Sequence, residues 1–228
     1  MKKHTFVNFL LVLSVLITVF SEAAILPQEK IREQYLDEKV RTFLNSRQGT
    51  WVDMNVPASD GKILYDLIIK NNYKKALEIG TSTGHSAIWI AWALSKTGGR
   101  LITIEIDEER YREALANFKE AGLAGYIDAR LADAHDLVKE LKGPFDFVFC
   151  DADKDWYKNY FIDIYPNLEV GGCYTAHNVS DRRWYGGTGR GTDEFYEYVM
   201  NMPNMETSVD DSGAGISISY KKSKGLLP

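Results

Sequence analysis

Cysteine is nearly absent from this chain: Cys150 and Cys173 are its only two. Two cannot build the disulfide framework of a small secreted scaffold. Both fall in short apolar runs and read as small buried side chains, although an oxidising compartment would allow one bridge between them. A basic excess is missing as well. Against 27 Lys and Arg stand 32 Asp and Glu, a net charge of −5, which argues against nucleic acid as a partner because phosphate binding needs a basic face. Internal repeats, low-complexity tracts and linkers are also lacking. No Gly-x-Gly-x-x-Gly follows an apolar run, so no dinucleotide pyrophosphate is implied. No Tyr-x-x-x-Lys pair lies where hydride transfer would need it, which counts against a nicotinamide oxidoreductase.

What is present suits one domain of ordinary size. The chain has 228 residues, 45% hydrophobic and 26% charged, enough to bury a full core. The first two dozen residues stand apart. Lys2, Lys3 and His4 precede an uncharged apolar run from Phe6 to Phe20, followed by Ser21-Glu-Ala23 and Ala24. A basic start, an apolar stretch and small residues at the −3 and −1 positions predict a secretory signal over residues 1–24. The rival is an uncleaved membrane anchor, for which the run is slightly short. Either reading puts the domain of residues 25–228 outside the cytoplasm, periplasmic or secreted if cleaved and membrane-anchored if not, since the lysines favour a cytoplasmic N-terminus.

Beyond the leader, residues 29 to about 45 carry apolar side chains at helical spacing (Ile31, Tyr35, Val40, Phe43, Leu44). Ser59-Asp-Gly-Lys62 opens a second helix, with Ser59 or Asp60 as its cap. Apolar runs at Lys75–Gly80, Leu101–Glu105, Ile127–Leu131, Phe145–Cys150 and Cys173–His177 then alternate with helical stretches near His85–Leu94, Glu108–Ala121, Asp136–Leu141 and Trp156–Leu168. This alternation predicts a doubly wound α/β fold with buried parallel strands. A further helix over Thr192–Asn201 and two strands, Glu206–Val209 and Gly215–Tyr220, close the chain as a hairpin. The segment Gly186-Gly-Thr-Gly-Arg-Gly191 is either a plain connection or a substrate lid.

In such a fold the ligand sits beyond the carboxyl ends of the strands, where strand order reverses, and the chemically notable residues fall at those ends. The first strand runs into Glu78-Ile-Gly80 and Thr81-Ser-Thr-Gly84-His-Ser86, with glycines that let backbone approach a ligand or simply permit a tight turn. Glu105 ends the second strand about 25 residues after Gly80, the place where an acid accepts hydrogen bonds from ribose hydroxyls. Its plainer role is a solvated acid beside the helix cap Asp107. Ala132-Asp133-Ala134-His135 ends the third strand and suits an adenine ring, or simply opens a helix. Asp151-Ala-Asp153-Lys154 ends the fourth and His177-Asn178 the fifth. Oxygen and nitrogen ligands on adjacent strand ends can hold one divalent cation, with the lysine as a base beside it. Helix capping and turn formation would explain one of these residues, not all of them together.

Taken together, these blocks resemble the cation-dependent class I O-methyltransferases of the catechol and caffeoyl-CoA type. The likeness runs from about residue 54 to 222: Val56-Pro-Ala-Ser-Asp-Gly61, Ala76-Leu-Glu-Ile-Gly80, Phe145-Asp-Phe-Val-Phe149 with Asp151-Ala-Asp-Lys154, Gly171-Gly172 with Asn178-Val179, and Met202-Pro-Asn-Met-Glu206 through Gly213-Ala-Gly-Ile216. It implies a Rossmann-like methyltransferase sheet of about seven strands, the last antiparallel, with helices on both faces. It implies that Val56, Glu78, Gly80, Ser86, Glu105, Ala134, His135 and Asp151 hold S-adenosyl-L-methionine. Asp151, His177 and Asn178 would bind Mg2+ or a similar cation, and Lys154 would be the general base on the hydroxyl of a small catechol-like substrate. The family has an acid where this chain has His177, a ligand better suited to zinc, iron or nickel than to magnesium. The resemblance also suggests a homodimer. Trp156, Trp184 and Tyr185 would either wall an aromatic substrate or form a structural cluster, and Arg182, Arg183 and Arg190 would either receive an anionic tail or be solvated. The sequon Asn178-Val-Ser180 is read as chance. A rival from another class is an exported, degenerate methyltransferase fold acting as a binding module, which the histidine and the leader would favour.

Overall fold

In the computed structural model, residues 28–51, 54–180 and 190–225 are described. The leader over residues 1–24, residues Arg182, Arg183, Trp184 and Tyr185, and most of the glycine-rich loop lie outside them. Among the described residues no helix is long and apolar enough to cross a membrane. The chain divides into two units, 1–42 and 43–228. In the first, the described residues are helical, the start of helix α1 over residues 28–46. The second carries the sheet.

That sheet has seven strands in the order β3-β2-β1-β4-β5-β7-β6. They are β1 (Lys75–Ile79), β2 (Arg100–Glu105), β3 (Ile127–Leu131), β4 (Phe145–Cys150), β5 (Leu168–His177), β6 (Met205–Asp210) and β7 (Ile216–Lys221). The first five run parallel, while β7 is antiparallel to both neighbours. Strands β1 and β4 bury nearly every residue on both faces, as central parallel strands must. Strand order reverses between β1 and β4, so the crevice expected of a doubly wound sheet opens beyond Ile79 and Cys150. Register places Cys173 opposite Phe147, three residues from Cys150. At about 3.3 Å per residue the thiols lie beyond disulfide reach, and both are free and buried.

The connecting helices are α2 (Ala58–Asn71), α3 (His85–Thr97), α4 (Glu108–Ala121), α5 (Ala134–Glu140), α6 (Tyr157–Ile164) and α7 (Arg190–Met200). Asp107 caps α4 by accepting from the Arg110 amide at 2.9 Å, as its position in the sequence predicts. Three expectations shift. Strand β5 starts five residues early, because Gly171 takes a left-handed φ of 87° and lets the chain pair Leu168 with Phe145 before a register shift. The stretch expected to be helical to Leu168 breaks into a 3-10 turn at Tyr165-Pro-Asn167, where proline lacks the amide a helix needs. Asp60 does not cap α2: it lies inside the first turn, with Pro57 at the cap position and no side-chain cap bond. Gly61 is fixed by packing, since a Cβ there would meet the Trp89 ring at 2.2 Å, and this close approach holds α2 against α3.

Leu77 is fully buried on the central strand. Leu77→Ala should lower the unfolding free energy by about 2–5 kcal/mol, read as a reduced midpoint in urea with unchanged slope.

Candidate active site

At the reversal point the backbone itself is closely fitted. Asp151 donates its amide to the Ile79 carbonyl at 2.8 Å, and a Cβ on Gly80 would fall 2.3 Å from the Asp151 carbonyl. Gly80 also has φ 97°, so both space and conformation require glycine. Next to this contact lies a cavity of about 190 Å³, lined by Gly80, Ser82, Glu105, Ala134, His135, Asp151 and Tyr160 among others. Glu105 is buried there, and its carboxylate accepts from the amides of Ser82 (2.7 Å), Ile106 (3.0 Å) and Asp107 (2.9 Å). It thereby ties the loop after β1 to the loop after β2. A carboxylate has about four lone-pair sites, so one remains for a ligand hydroxyl.

His135 stacks on Tyr160, ring centroids 5.6 Å apart and planes 11° off parallel, with Trp156 edge-on at 4.7 Å. Its ring nitrogens lie 3.0 Å from Asp133 and 3.3 Å from Asp153. The result is a flat, half-exposed wall suited to a heteroaromatic ring. Glu78, Ser86 and Val56 do not line this cavity. Glu78 is fully buried, accepting from Thr103 at 2.5 Å and bonded to Ser86. Burial pushes its carboxyl up to about 8, with the Ser86 and Thr103 bonds only partly offsetting. One of its oxygens has no partner. Val56 is buried, and its carbonyl meets His85 Nδ1 at 2.8 Å.

On the other side of Asp151 lies a closed set of charges. His177 Nδ1 is 3.2 Å from Asp151 Oδ2, and Nε2 is 2.8 Å from Asp60 Oδ2. Lys154 Nζ donates to Asp151 Oδ1 and, at 2.7 Å, to the Tyr157 hydroxyl. Asp60, wholly buried, also accepts from the Ala214 amide at 3.0 Å and from Ser59 at 3.2 Å. Burial lowers the basicity of His177, but its two carboxylate partners outweigh this and raise it from 6.5 to about 9. For Asp60 burial raises the pKa, and the His177 bond and the Ala214 amide more than reverse it. Asp151 is likewise held below its ordinary value against burial, by His177 and then Lys154. Burial and the adjacent Asp151 charge push the Tyr157 hydroxyl well up.

The structure therefore brings together Asp151, Lys154 and His177, three residues singled out from the sequence, and adds two that were missed. Asp60 was read as a helix cap and Tyr157 went unnoticed. A capping motif and a buried ion pair use the same residue type, so the signal for Asp60 was present but ambiguous. Asn178 follows His177 with a left-handed φ of 55°. The expected cation set fits poorly. A metal-binding imidazole needs a free lone pair on one nitrogen, and its other N–H goes to a second-sphere acceptor. Here Nε2 of His177 is hydrogen-bonded to Asp60, and Nδ1 faces Asp151 Oδ2 at 3.2 Å. Among the described residues no group of three or more His, Cys, Asp or Glu is disposed to hold a metal ion.

The sequence profile of a family described as O-methyltransferase matches residues 28–212. A protein of Arabidopsis thaliana that carries a caffeoyl-CoA O-methyltransferase name is 30% identical over 204 residues, 82% of this chain and 86% of that protein. The catechol O-methyltransferase of Niastella koreensis is 43% identical over 130 residues, 55% of this chain and 58% of that protein. An O-methyltransferase from Bacillus cereus in complex with SAH superposes with a TM-score of 0.68 at 26% identity, covering 84% of this chain and 97% of that one.

The charge set has a pH signature. His177 binds its proton more tightly folded than unfolded, so the stabilisation it gives is complete below about 6.5 and is lost as pH rises through about 9. Unfolding free energies measured in urea should fall across this window in the native protein. His177→Gln, which cannot titrate, should be less stable at pH 6 and show a shallower fall.

Proposed function

We propose, for a chain that belongs to the O-methyltransferase family, that it transfers the methyl group of S-adenosylmethionine to one hydroxyl of a small catechol-like aromatic. The observation that carries this reading is the juxtaposition across Asp151 of the lined cavity and Lys154. The cofactor would occupy the cavity, its ribose hydroxyls on Glu105 and its adenine between Ala134 and the His135 wall. The start of α3, with Gly84 at its cap and no acid in its first turn, offers free amides to the cofactor's carboxylate. The sulfonium would then face the surface where Lys154 and Asp151 meet solvent.

The reaction is an in-line displacement. The substrate oxygen forms a bond to the methyl carbon as the carbon–sulfur bond breaks, and that bonding pair stays on sulfur to give the neutral thioether. The hydroxyl proton goes to Lys154 Nζ in its amine form. Tyr157, buried and hydrogen-bonded to Nζ, fixes the lysine head. Holding two reactants in line supplies about 7–11 kcal/mol of rate enhancement, so no covalent intermediate is needed.

A divalent cation would add polarisation of the hydroxyl when bound. Its support is the family resemblance, and the bonding of His177 stands against it. Export through residues 1–24 and a homodimer are likewise part of this reading, carried by the leader composition and the resemblance. The degenerate-module alternative is opposed by the retention of Glu105, Asp151 and Lys154 in one place.

Transfer of labelled methyl from S-adenosylmethionine to a panel of catechols and caffeoyl-CoA is the direct test; no product from any acceptor would sink the reading. Lys154→Met should lower kcat by about 10²–10⁴, leaving S-adenosylhomocysteine affinity unchanged by calorimetry. Glu105→Gln should show the opposite pattern, weakening S-adenosylhomocysteine about tenfold or more.

A further inference from the structure

The two carboxylates and the imidazole at the end of β5 already face one another. Asp60 Oδ2 accepts from His177 and from the Ala214 amide, and Asp60 Oδ1 accepts from Ser59. Asp151 Oδ2 faces His177, and its Oδ1 accepts from Lys154. The ring lies between the two carboxylates: Nε2 is hydrogen-bonded to Asp60 at 2.8 Å, and Nδ1 faces Asp151 Oδ2 at 3.2 Å, where a donated N–H satisfies the carboxylate and a bare lone pair would oppose it.

The site is also closed from above. The turn between β6 and β7 lies directly on Asp60, since a Cβ on Gly213 would fall 1.4 Å from its Oδ1. Gly215 is equally constrained, with φ 90° and a Cβ position 2.4 Å from the Val179 carbonyl. So α2, the end of β5 and the closing hairpin converge on one buried Asp60–His177–Asp151 bridge, and Asp60 is sealed from solvent.

We propose that this chain methylates without a divalent cation, because the side chain of His177, hydrogen-bonded to Asp60 and facing Asp151 with its other nitrogen, occupies the cation's place. The inference rests on the methyl-transfer reading above and narrows it. His177 is a positioning residue here: it touches neither substrate nor cofactor, but sets the orientation of Asp151, and through Asp151 that of Lys154. A third acid at position 177 would leave three carboxylates facing one another with nothing to separate them. In this chain the ring does the separating, and Asp60 is the partner that makes it possible.

The experiment measures ion binding and turnover separately. Purified full-length protein is stripped with EDTA and titrated with Mn2+, bound ion being read by electron paramagnetic resonance. Methyl transfer to catechol and caffeoyl-CoA is then assayed in chelator and with Mg2+, Mn2+, Zn2+ or Ni2+ added singly. The expected result is free Mn2+ throughout and an unchanged rate in chelator, while His177→Asp gains a bound Mn2+ and turns over only with metal. One tightly bound Mn2+ in the native protein, with a fall in rate of about a hundredfold or more on chelation, would overturn the proposal. If no acceptor is methylated under any condition, the functional reading fails, and the Mn2+ titration of the native protein still decides the metal question.

Discussion

The ring of His177, held between Asp60 and Asp151, is the contact on which the rest of the site depends. It links three parts of the chain far apart in sequence: the first turn of α2, the end of β4 and the end of β5. Two buried carboxylates so close would repel each other strongly in a poorly polarisable interior, and each would resist ionising. A positive charge between them removes that conflict, and in the proposed arrangement the imidazole seated between them takes that part. Because the ring has only one geometry that serves both acids, it also fixes where they point. Asp151 is thereby left with one oxygen for Lys154, and Lys154 with one further bond to Tyr157.

A second constraint operates on the cofactor side, and it is steric. Gly80 has to pass within van der Waals contact of the Asp151 backbone for β1 and β4 to end side by side. That approach brings the Glu105 loop and the His135 wall around one cavity. The same residue, Asp151, therefore lines that cavity and anchors the charge set with its side chain. The two halves of the proposed reaction meet at one residue.

Much of the fold can be read from the order of apolar runs. Short, continuous apolar stretches alternating with amphipathic ones have one common solution, and strands β1 to β4 fall where the runs are, to within a residue. The departures have local causes. Gly171 permits β5 to begin early by adopting a backbone conformation that a side chain would oppose, and Pro166 ends a helix its neighbours would have continued. The cavity residues Gly80, Glu105, Ala134 and His135 were legible because strand ends are where such folds bind ligands. Val56, Glu78 and Ser86 were placed by resemblance, and they are buried residues that do not line the cavity.

The sequence by itself determined the fold class, the family, and the residue types at each strand end, because these follow from local pattern and spacing along the chain. It also exposed the anomaly, a histidine where an acid is usual. Only the tertiary structure decided what that histidine does. Ser59-Asp60-Gly61 looks like a helix cap from its own neighbours, and nothing nearby in sequence marks it as the partner of a residue 117 positions away. Whether a histidine offers a lone pair or two N–H groups depends on what faces its nitrogens, and that is set by the packing of α2 and the closing hairpin over the end of β5.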